Sequence, residues 1–509
     1  MTEAGEGYNV PRGAAYLTSQ QVIIYITSFA FYVILARVLT RAEIGQVSLL
    51  AAALAVFNTL TQLALPATAT RYISSNLGTG QREVAGAVAK TILRLTLAIA
   101  SVGTVVALSL SPVLGRIIFD SPDATALLVT TFLAGLLLDI TTLYGAYFLG
   151  AGLYAQTVYQ NVFYMPLSRG LGLILAFLGL RVLGIAIGWA IGGLATLLLV
   201  LHFWRNRLPA KGTYPIKPLL AFSLPLFVST LIILGQQWGD IALLQTTLGQ
   251  LSTTGAYYLI VSSVSFLSVL WIPVSSSLYP ALSADHSANN MQGITDRLSS
   301  AFRLTNLAVL PLAAALAAVA PTALEIAYGP AYTAETVPFT ILAITSVFAA
   351  QAAILIMTLQ ATGKTRAMLE ATLVGTVIDL TIVVLTARAL GPTAGALGRA
   401  LLYLTTVLLA YRILRPTVRV SPTRGFRKAA ALAIGVGLPL LAADQFLIQF
   451  SNVTALFRLP VLLAVFTASF LVVSRKSHIF KPGDFAILKD ALPRRLHPYL
   501  RTVERLIIG

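Results

Sequence analysis

The sequence predicts an all-α polytopic membrane protein of about fourteen transmembrane helices: two parallel six-helix repeats, followed by two extra helices. Three observations predict it: an apolar composition, regularly spaced apolar runs and an internal repeat. Of the 509 residues, 57% are hydrophobic and 10% are charged, and the mean hydropathy is +0.83. Because soluble domains carry about 25% charged residues, the composition excludes a water-soluble fold.

The apolar runs have the length of membrane spans, since a helix of about 20 residues crosses a hydrocarbon core of about 30 Å. Gly and Pro mark many of the breaks between the runs. The polar stretches between them are too short to fold as separate domains. The predicted spans are residues 16–37, 44–65, 90–114, 125–148, 155–179, 183–204, 219–239, 255–277, 302–321, 336–358, 367–387, 393–413, 427–448 and 453–473.

The internal repeat is a short pattern that returns at a constant interval. Such an interval, kept over several positions, marks a duplication rather than chance. The unit holds six spans, and an even number makes the two copies parallel in the membrane. In the first copy, Leu93–Thr96 is followed by Pro112, Ile117 and Phe119. In the second copy, Phe302–Thr305 is followed by Pro321, Ile326 and Tyr328. The repeat interval is 209 residues at Arg94 and Arg303 and at each of the three later pairs.

The repeat and the charge pattern together predict the domain boundaries. Short basic stretches flank the two lobes, and the C-terminal tail shows apolar residues at helical spacing among basic ones. This pattern predicts either a helix lying in the membrane interface or a loosely held basic tail. The predicted segments are a cytoplasmic N-terminal segment 1–15, an N-lobe 16–207, a basic linker 208–218 acting as a hinge, a C-lobe 219–416, two further spans in 417–474 and the tail 475–509.

The net charge of +17 would suggest a nucleic-acid partner in a soluble protein. Here most Lys and Arg residues fall on alternate loops and at both termini. The positive-inside rule then places both termini in the cytoplasm and makes nucleic acid unnecessary as an explanation. The N-terminal segment lacks the features of a cleaved signal peptide, so we expect the first span to remain as an anchor in the cytoplasmic membrane.

Soluble-enzyme chemistry has little support in the sequence. Cysteine is absent, so disulfides and thiolate metal sites are not available. The four histidines are scattered without metal-ligand spacing. Gly78-Thr79-Gly80 follows no strand and lacks the lysine of an ATP-binding loop. We expect no cofactor.

The candidate charged residues inside predicted spans are Asp139, Arg169, Asp379 and Arg399. Charges in hydrocarbon are costly and are functional candidates by default. One interpretation is two structural ion pairs, Asp139 with Arg169 and Asp379 with Arg399. The other is that some of these groups bind an anionic headgroup or a coupling ion. Arg169 and Asp379 are separated by almost the repeat interval, so the two copies carry opposite charges at equivalent positions.

Four further residues complete the candidate set. Arg37 and Arg71 lie at span ends, where snorkelling to the interface is the default explanation and phosphate contact the alternative. Gln237 and Asp240 lie on the seventh span. Polar contacts between helices explain such groups equally well.

Several short motifs occur in the order and spacing of one known family. They are Leu35-Ala36-Arg37-Val38-Leu39 before Gly45, Ser223-Leu224-Pro225-Leu226, Ile326-Ala327-Tyr328-Gly329-Pro330-Ala331-Tyr332, Ala361-Thr362-Gly363-Lys364 and Gly391-Pro392-Thr393-Ala394-Gly395-Ala396. Over residues 10–475 the chain resembles polysaccharide-type flippases of the MATE-like (MOP) superfamily. Its tail, with Asp484-Phe485 and Leu492-Pro493, resembles that of archaeal members.

The resemblance implies a function and a mechanism. Such proteins carry lipid-linked oligosaccharides across the cytoplasmic membrane by alternating access, with spans 1, 2, 7 and 8 lining a cleft, and they make or break no bonds. We therefore expect a monomeric flippase, not an enzyme, whose partners are its substrate, membrane lipids and a coupling ion. The expected headgroup-binding residues are Arg169, Arg399, Arg37, Arg71 and Gln237, and the expected ion-coupling or charge-pair residues are Asp139, Asp240 and Asp379.

Two alternatives remain open. A cation-coupled drug antiporter of the same superfamily typically has twelve helices and often an acid in the first, whereas residues 16–37 contain none. The other alternative is a membrane enzyme or scaffold of polysaccharide biosynthesis, and an enzyme of this kind, a polyprenyl-phosphate glycosyltransferase or polymerase, would need acidic residues and a sizeable outer loop. The first predicted outer loop offers only Arg41-Ala42-Glu43.

Overall fold

The computed structural model describes residues 10–119, 124–204, 208–416, 418, 423, 425–450, 455–477, 479 and 504, and in this part of the chain it is helical without a strand. The helices are α1 (Val10–Val38), α2 (Arg41–Gln62), α3 (Leu65–Gly78), α4 (Arg82–Phe119), α5 (Ala124–Gly150), α6 (Tyr154–Leu175), α7 (Arg181–Phe203), α8 (Ile216–Leu248), α9 (Leu251–Ser265), α10 (Ile272–Ser287), α11 (Met291–Ala318), α12 (Ala320–Tyr328), α13 (Thr336–Ala361), α14 (Thr365–Leu390), α15 (Pro392–Leu414), α16 (Phe426–Phe450) and α17 (Ala455–Lys476).

The number of spans agrees with the sequence prediction. Thirteen helical segments within the described ranges are long and apolar enough to cross a membrane. One of them, Tyr154–Phe203, contains both α6 and α7. A turn separates these two helices, with Gly179 (φ 103°) and Arg181 (φ 47°) in left-handed backbone conformations. Counted separately they give fourteen spans, and the chain is a multi-pass membrane protein.

The helix boundaries confirm the duplication. Helix α4 begins at Arg82 and ends at Phe119. Shifted by the repeat interval, these two positions coincide with Met291, where α11 begins, and with Tyr328, where α12 ends. Helices α7 and α15 likewise begin and end with one offset between them. Two repeats of six spans each, followed by the extra helices α16 and α17, are therefore the architecture of this chain.

Three helices, α3, α10 and α12, were missed by the sequence prediction. Helices α3 and α10 follow the second and eighth spans, and each begins with a proline in its first turn, where the missing N–H costs nothing. Both mix polar with apolar residues, so a search for apolar runs passes over them. The predicted span 255–277 is accordingly wrong as a single helix, because a 3-10 segment, Phe266–Leu270, and Trp271 divide α9 from α10.

By backbone packing the chain divides into a first unit, residues 1–259, and a second unit, residues 260–509. This boundary lies within α9 and not at the basic linker, and the division into lobes at 208–218 stays a prediction. The N-terminal segment 1–15 and the tail 475–509 lie mostly outside the described residues.

The linker, predicted as a hinge, is attached to the first unit at several points. The backbone N–H of Leu208 donates to the Tyr147 hydroxyl, and that of Tyr214 donates to the Thr91 hydroxyl, both at 3.0 Å. Tyr147 belongs to α5 and Thr91 to α4. These contacts fix the described part of the linker against the ends of two helices.

Each unit has its own apolar packing. In the first, buried residues of α3, α4 and α5 such as Ile73, Ile92 and Phe148 form a core that also includes Leu219 at the start of α8. In the second, a core of α10, α11, α13 and α15 is joined by another that packs α16 and α17 against α11. Because lipid is as apolar as these side chains, close packing rather than exclusion of water holds such helices together.

A close contact between glycines joins α2 and α9 within the first unit. A Cβ atom on Gly45 would lie 2.0 Å from the carbonyl oxygen of Leu251, and one on Gly255 would lie 2.2 Å from that of Arg41. Gly45 and Gly255 are separated by almost the repeat interval and are equivalent positions of the two copies. Only glycine permits two helix backbones to approach so closely.

We predict that Gly45→Ala and Gly255→Ala each lower the free energy of unfolding by about 1–3 kcal/mol, the usual cost of overpacking. Unfolding of the purified protein in nanodiscs measures the change. Gly78→Ala is the matched control, because no atom lies within 4 Å of a Cβ added there. Equal stability of all three variants would contradict the close contact.

Candidate functional site

Arg169 lies on α6 with its side chain half buried and directed at α1. Its Nη1 donates a hydrogen bond to the Ser28 hydroxyl. Its guanidinium lies over the rings of Phe31 and Tyr32, 5.3 and 5.9 Å from their centroids. Within the described part of the chain, no carboxylate forms an ion pair with it. One hydroxyl and two ring faces therefore surround this cation.

The aromatic side chains continue from α1 to α9 and α8. The hydroxyls of Tyr32 and Tyr258 are hydrogen-bonded at 3.0 Å, and their rings meet edge to face with centroids 5.5 Å apart. The Tyr258 ring stacks on Trp238 with centroids 6.1 Å apart. We call this set, all within the first unit, the cation–ring cluster: Arg169, Ser28, Phe31, Tyr32, Tyr258 and Trp238.

Asp139 on α5 is fully buried and is held by the end of α2. Its Oδ2 accepts a hydrogen bond of 2.5 Å from the Thr61 hydroxyl, and its Oδ1 accepts one of 2.9 Å from the Gln62 side-chain amide. Asp139 and Arg169 thus contact different helices, α2 and α1. Asp139 and Arg169 therefore do not form an ion pair with each other, which was one of the two interpretations of the sequence.

Immediately after these two donors the chain breaks between α2 and α3. Leu63 (φ 46°, ψ 34°) and Ala64 (φ 56°, ψ 19°) both adopt the left-handed conformation, which costs a residue other than glycine roughly 1–2 kcal/mol. The Ser223 hydroxyl on α8 donates to the carbonyl of Leu63. We call Leu63 and Ala64 the α2–α3 break.

Asp240 joins α8 to α9 in the same unit. It is fully buried. Its Oδ2 accepts a hydrogen bond of 2.5 Å from the Tyr257 hydroxyl, and its Oδ1 accepts one of 2.8 Å from the backbone N–H of Ile241. Gln237, one turn earlier on α8, is exposed.

In the second unit, Asp379 on α14 is fully buried against α15. A Cβ on Gly398 would lie 2.2 Å from Oδ1 of Asp379, so the carboxylate touches the α15 backbone. Arg399 follows Gly398 directly and is half buried. The two charges are near one another along the helices, as the sequence predicts, and their pairing stays a prediction.

Arg37 and Arg71, which the sequence placed at span ends, are both exposed, and Arg71 lies in the middle of α3. Arg37 lies in the last turn of α1. Arg71 on α3 places its guanidinium 4.0 Å from the ring centroid of Phe222 on α8 and 5.9 Å from that of Tyr72. The structure does not bring either residue into the cation–ring cluster.

Sequence reasoning missed several polar groups. The aromatic members of the cluster could have been noticed because Tyr and Trp usually lie at membrane interfaces rather than inside spans.

Asp444, an acid within a predicted span, was also overlooked. It is buried on α16, and Oδ1 of its carboxylate has no hydrogen-bond partner among the described residues. In the same unit, Arg458 on α17 lies 3.4 Å from Glu325 on α12.

Comparisons with known proteins agree with this fold. The model of the polysaccharide biosynthesis protein family matches residues 10–286. The lipid II flippase MurJ, in an inward closed conformation, superposes with a TM-score of 0.74 at 13% identity, covering 91% of this chain and 98% of MurJ. A comparison with curated protein sequences gives no match.

Two further solved structures share the fold. An inward-facing multidrug resistance MATE family transporter of the MOP superfamily has a TM-score of 0.63 at 17% identity, over 77% of this chain and 93% of its own. A MOP superfamily transporter from Pyrococcus furiosus has a TM-score of 0.55 at 16% identity, over 82% of this chain and 96% of its own. At these identities the likeness concerns the fold.

We predict that Tyr257→Phe lowers the free energy of unfolding by about 1–3 kcal/mol, because it removes a donor from a buried carboxylate. Tyr159→Phe is the matched control, since Tyr159 on α6 is 57% exposed and its hydroxyl has no such buried partner. Denaturant unfolding of both variants in the same detergent gives the comparison. An unchanged Tyr257→Phe variant would mean that this hydrogen bond contributes nothing to stability.

Proposed function

The chain belongs to the polysaccharide biosynthesis protein family, and on this premise we propose that it is a flippase for a lipid-linked oligosaccharide. Its family and fold are those of MOP-type flippases and transporters. The cargo is a sugar on a polyprenyl or dolichyl phosphate or pyrophosphate, moved across the cytoplasmic membrane by alternating access for polysaccharide or glycoprotein assembly.

One observation carries the proposal: a half-buried arginine inside a membrane span without a carboxylate partner among the described residues. A cation in hydrocarbon is costly to keep, and its retention is explained if an anion pairs with it during the working cycle. A guanidinium pairs bidentately with phosphate. In the absence of cargo, Ser28 and the faces of Phe31 and Tyr32 hold Arg169 in place.

The rest of the cation–ring cluster suits a sugar beside that phosphate. Tyr and Trp combine an apolar face, on which the C–H side of a sugar ring can lie, with a polar atom that hydrogen-bonds to hydroxyls. Tyr258, which is buried, and Trp238 already stack on one another beside Tyr32. The isoprenoid tail would remain in lipid while the headgroup leaves water.

Other predicted contacts belong to the same proposal. Arg399, Arg37, Arg71 and Gln237 are the further candidates for contact with the headgroup. Asp139, Asp240 and Asp379 are the candidates for a coupling ion. The working unit would be a single chain with both termini in the cytoplasm, as the distribution of Lys and Arg indicates.

The second candidate function is a cation-coupled drug antiporter. The fully buried carboxylates of Asp139 and Asp240 favour it, since an acid in hydrocarbon attracts an organic cation. Arg169 argues against it, because a guanidinium repels a cationic drug at the same site. The remaining alternative is a membrane enzyme or a scaffold. An enzyme would change the lipid-linked sugar covalently, and a scaffold would not transport it.

We predict that Arg169→Gln lowers the rate of headgroup translocation about tenfold or more, since a charge-assisted hydrogen bond is worth about 1.5–3 kcal/mol. Arg169→Lys should fall between wild type and Arg169→Gln, because it keeps the charge and loses the bidentate geometry. The assay follows exposure of a fluorescent lipid-linked oligosaccharide pyrophosphate in proteoliposomes, with and without an ion gradient.

Arg94→Gln is the control, because Arg94 on α4 is exposed and lies outside the cluster. It should translocate the probe at the wild-type rate. Full translocation by Arg169→Gln would remove Arg169 from the site. Wild-type protein that exports an organic cation against an ion gradient and leaves the lipid in place would instead be an antiporter, and a covalently altered probe would indicate an enzyme.

A further inference from the structure

We propose that Asp139 is a proton-binding site and that its proton controls the α2–α3 break. In the ionised state the carboxylate holds the last turn of α2 through Thr61 and Gln62. In the protonated state this hold weakens, and α2 straightens through Leu63 and Ala64 into α3. The inference extends the coupling-ion part of the proposed function, but it rests on contacts within the first unit and not on the identity of the cargo.

The first support is that Asp139 has only neutral partners. Among the described residues it contacts Thr61 and Gln62, and no charged group is among its partners. Helices α2, α3, α4, α6 and α7 pack against α5. Their charged and histidine side chains lie elsewhere on those helices: Arg41, Glu43, Arg71, Arg82, Glu83, Lys90, Arg94, Arg116, Arg169, Arg181 and His202.

The second support is the position of the carboxylate at a helix C-terminus. The last carbonyls of α2 carry the negative end of the helix dipole, so the surroundings offer no positive charge to offset an ionised acid. The two hydrogen bonds to Oδ1 and Oδ2 are all that compensates the charge. A hydrogen bond to an ionised acceptor is about twice as strong as a neutral one, so the hold on α2 depends on the ionisation of Asp139.

The third support is that the Thr61 hydroxyl suits both states. It lies 2.5 Å from Oδ2 of Asp139 and 2.8 Å from the carbonyl oxygen of Phe57. Beside the ionised acid it donates to Oδ2. Beside the protonated acid it accepts the new O–H and turns its own hydrogen to Phe57. The proton can therefore be bound at Oδ2 before the helices move, and its binding replaces a charge-assisted hydrogen bond by a weaker neutral one.

The fourth support is that α5 contacts the chain on both sides of the α2–α3 break. Before the break, Asp139 holds the end of α2. After it, the Thr70 hydroxyl of α3 donates to the carbonyl of Ala146 on α5 at 3.1 Å. Between them stand Leu63 and Ala64, two residues in a conformation that favours glycine. When Asp139 releases α2, this strain drives the two residues towards the right-handed helix.

The second copy of the repeat offers an internal comparison. The offset between the first residues of α5 and α13, applied to Asp139, leads to Gln351. Gln351 is buried like Asp139, and its amide donates to Asn306 Oδ1 at 3.0 Å. A neutral amide thus satisfies the packing in one copy, while the other copy keeps a group that can bind a proton.

The test uses the distance between the two ends of the α2–α3 pair. The chain has no cysteine, so Ala42→Cys on α2 and Ser75→Cys on α3, both exposed, accept nitroxide labels selectively. Pulsed electron paramagnetic resonance in nanodiscs, without any cargo, records the distance over a pH series. We expect a longer distance at low pH, and Asp139→Asn should show that longer distance at every pH.

Asp444→Asn is the matched control, since Asp444 is a buried acid on α16, and it should keep the wild-type response. Should Asp139→Asn not fold, Asp139→Glu keeps an ionisable group and should keep a pH response with a displaced midpoint. A wild-type distance independent of pH, or an unchanged pH response in Asp139→Asn, would overturn the inference. Because no cargo is present, neither outcome depends on whether the protein flips a lipid-linked sugar.

Discussion

A charged side chain in hydrocarbon must be compensated by its neighbours, and this constraint organises the first unit. The carboxylate of Asp139 accepts hydrogen bonds from a hydroxyl and an amide of α2, and that of Asp240 accepts one from a hydroxyl of α9. Arg169 is compensated by a hydroxyl and two aromatic faces. Each compensation joins two helices, so the polar contacts that make these charges tolerable also connect the helices that would have to move in transport.

The difference between the acids and the arginine indicates what the protein carries. The acids in the first unit have strong donors close by, which suits groups that hold helices together or bind a proton. The arginine has no carboxylate partner among the described residues and lies against rings, which suits a group that receives an anion from outside. An anionic headgroup with a sugar beside it matches both parts of the cation–ring cluster.

The duplication explains how such specialised positions arose on one scaffold. The copies agree where backbones must meet, as at Gly45 and Gly255, and they agree in the bounds of their helices. They differ at a buried polar position, where Asp139 of the first copy corresponds to Gln351 of the second. The two copies thus share the packing of their backbones and differ in which of them carries an ionisable side chain at a buried position.

The sequence predicted the number of spans, the repeat and the helices that carry Asp139 and Arg169, because hydropathy and periodic similarity are read directly from residue order. It did not predict their partners. Helix α5 is apolar nearly all round, so its sequence does not indicate which side faces α2. The α2–α3 break consists of Leu63 and Ala64, and without a glycine there the sequence does not indicate a left-handed conformation. Tyr32 and Tyr258 lie far apart in the sequence, and no local pattern reveals that they meet.

The most direct test of the central claim is a cryo-electron microscopy structure in nanodiscs with a polyprenyl pyrophosphate-linked sugar bound. The account predicts phosphate density within about 4 Å of the Arg169 guanidinium, with the sugar against the rings of Tyr258 and Trp238. Pyrophosphate density elsewhere, with Arg169 still hydrogen-bonded to Ser28, would contradict the assignment of this arginine and its ring cluster to the headgroup.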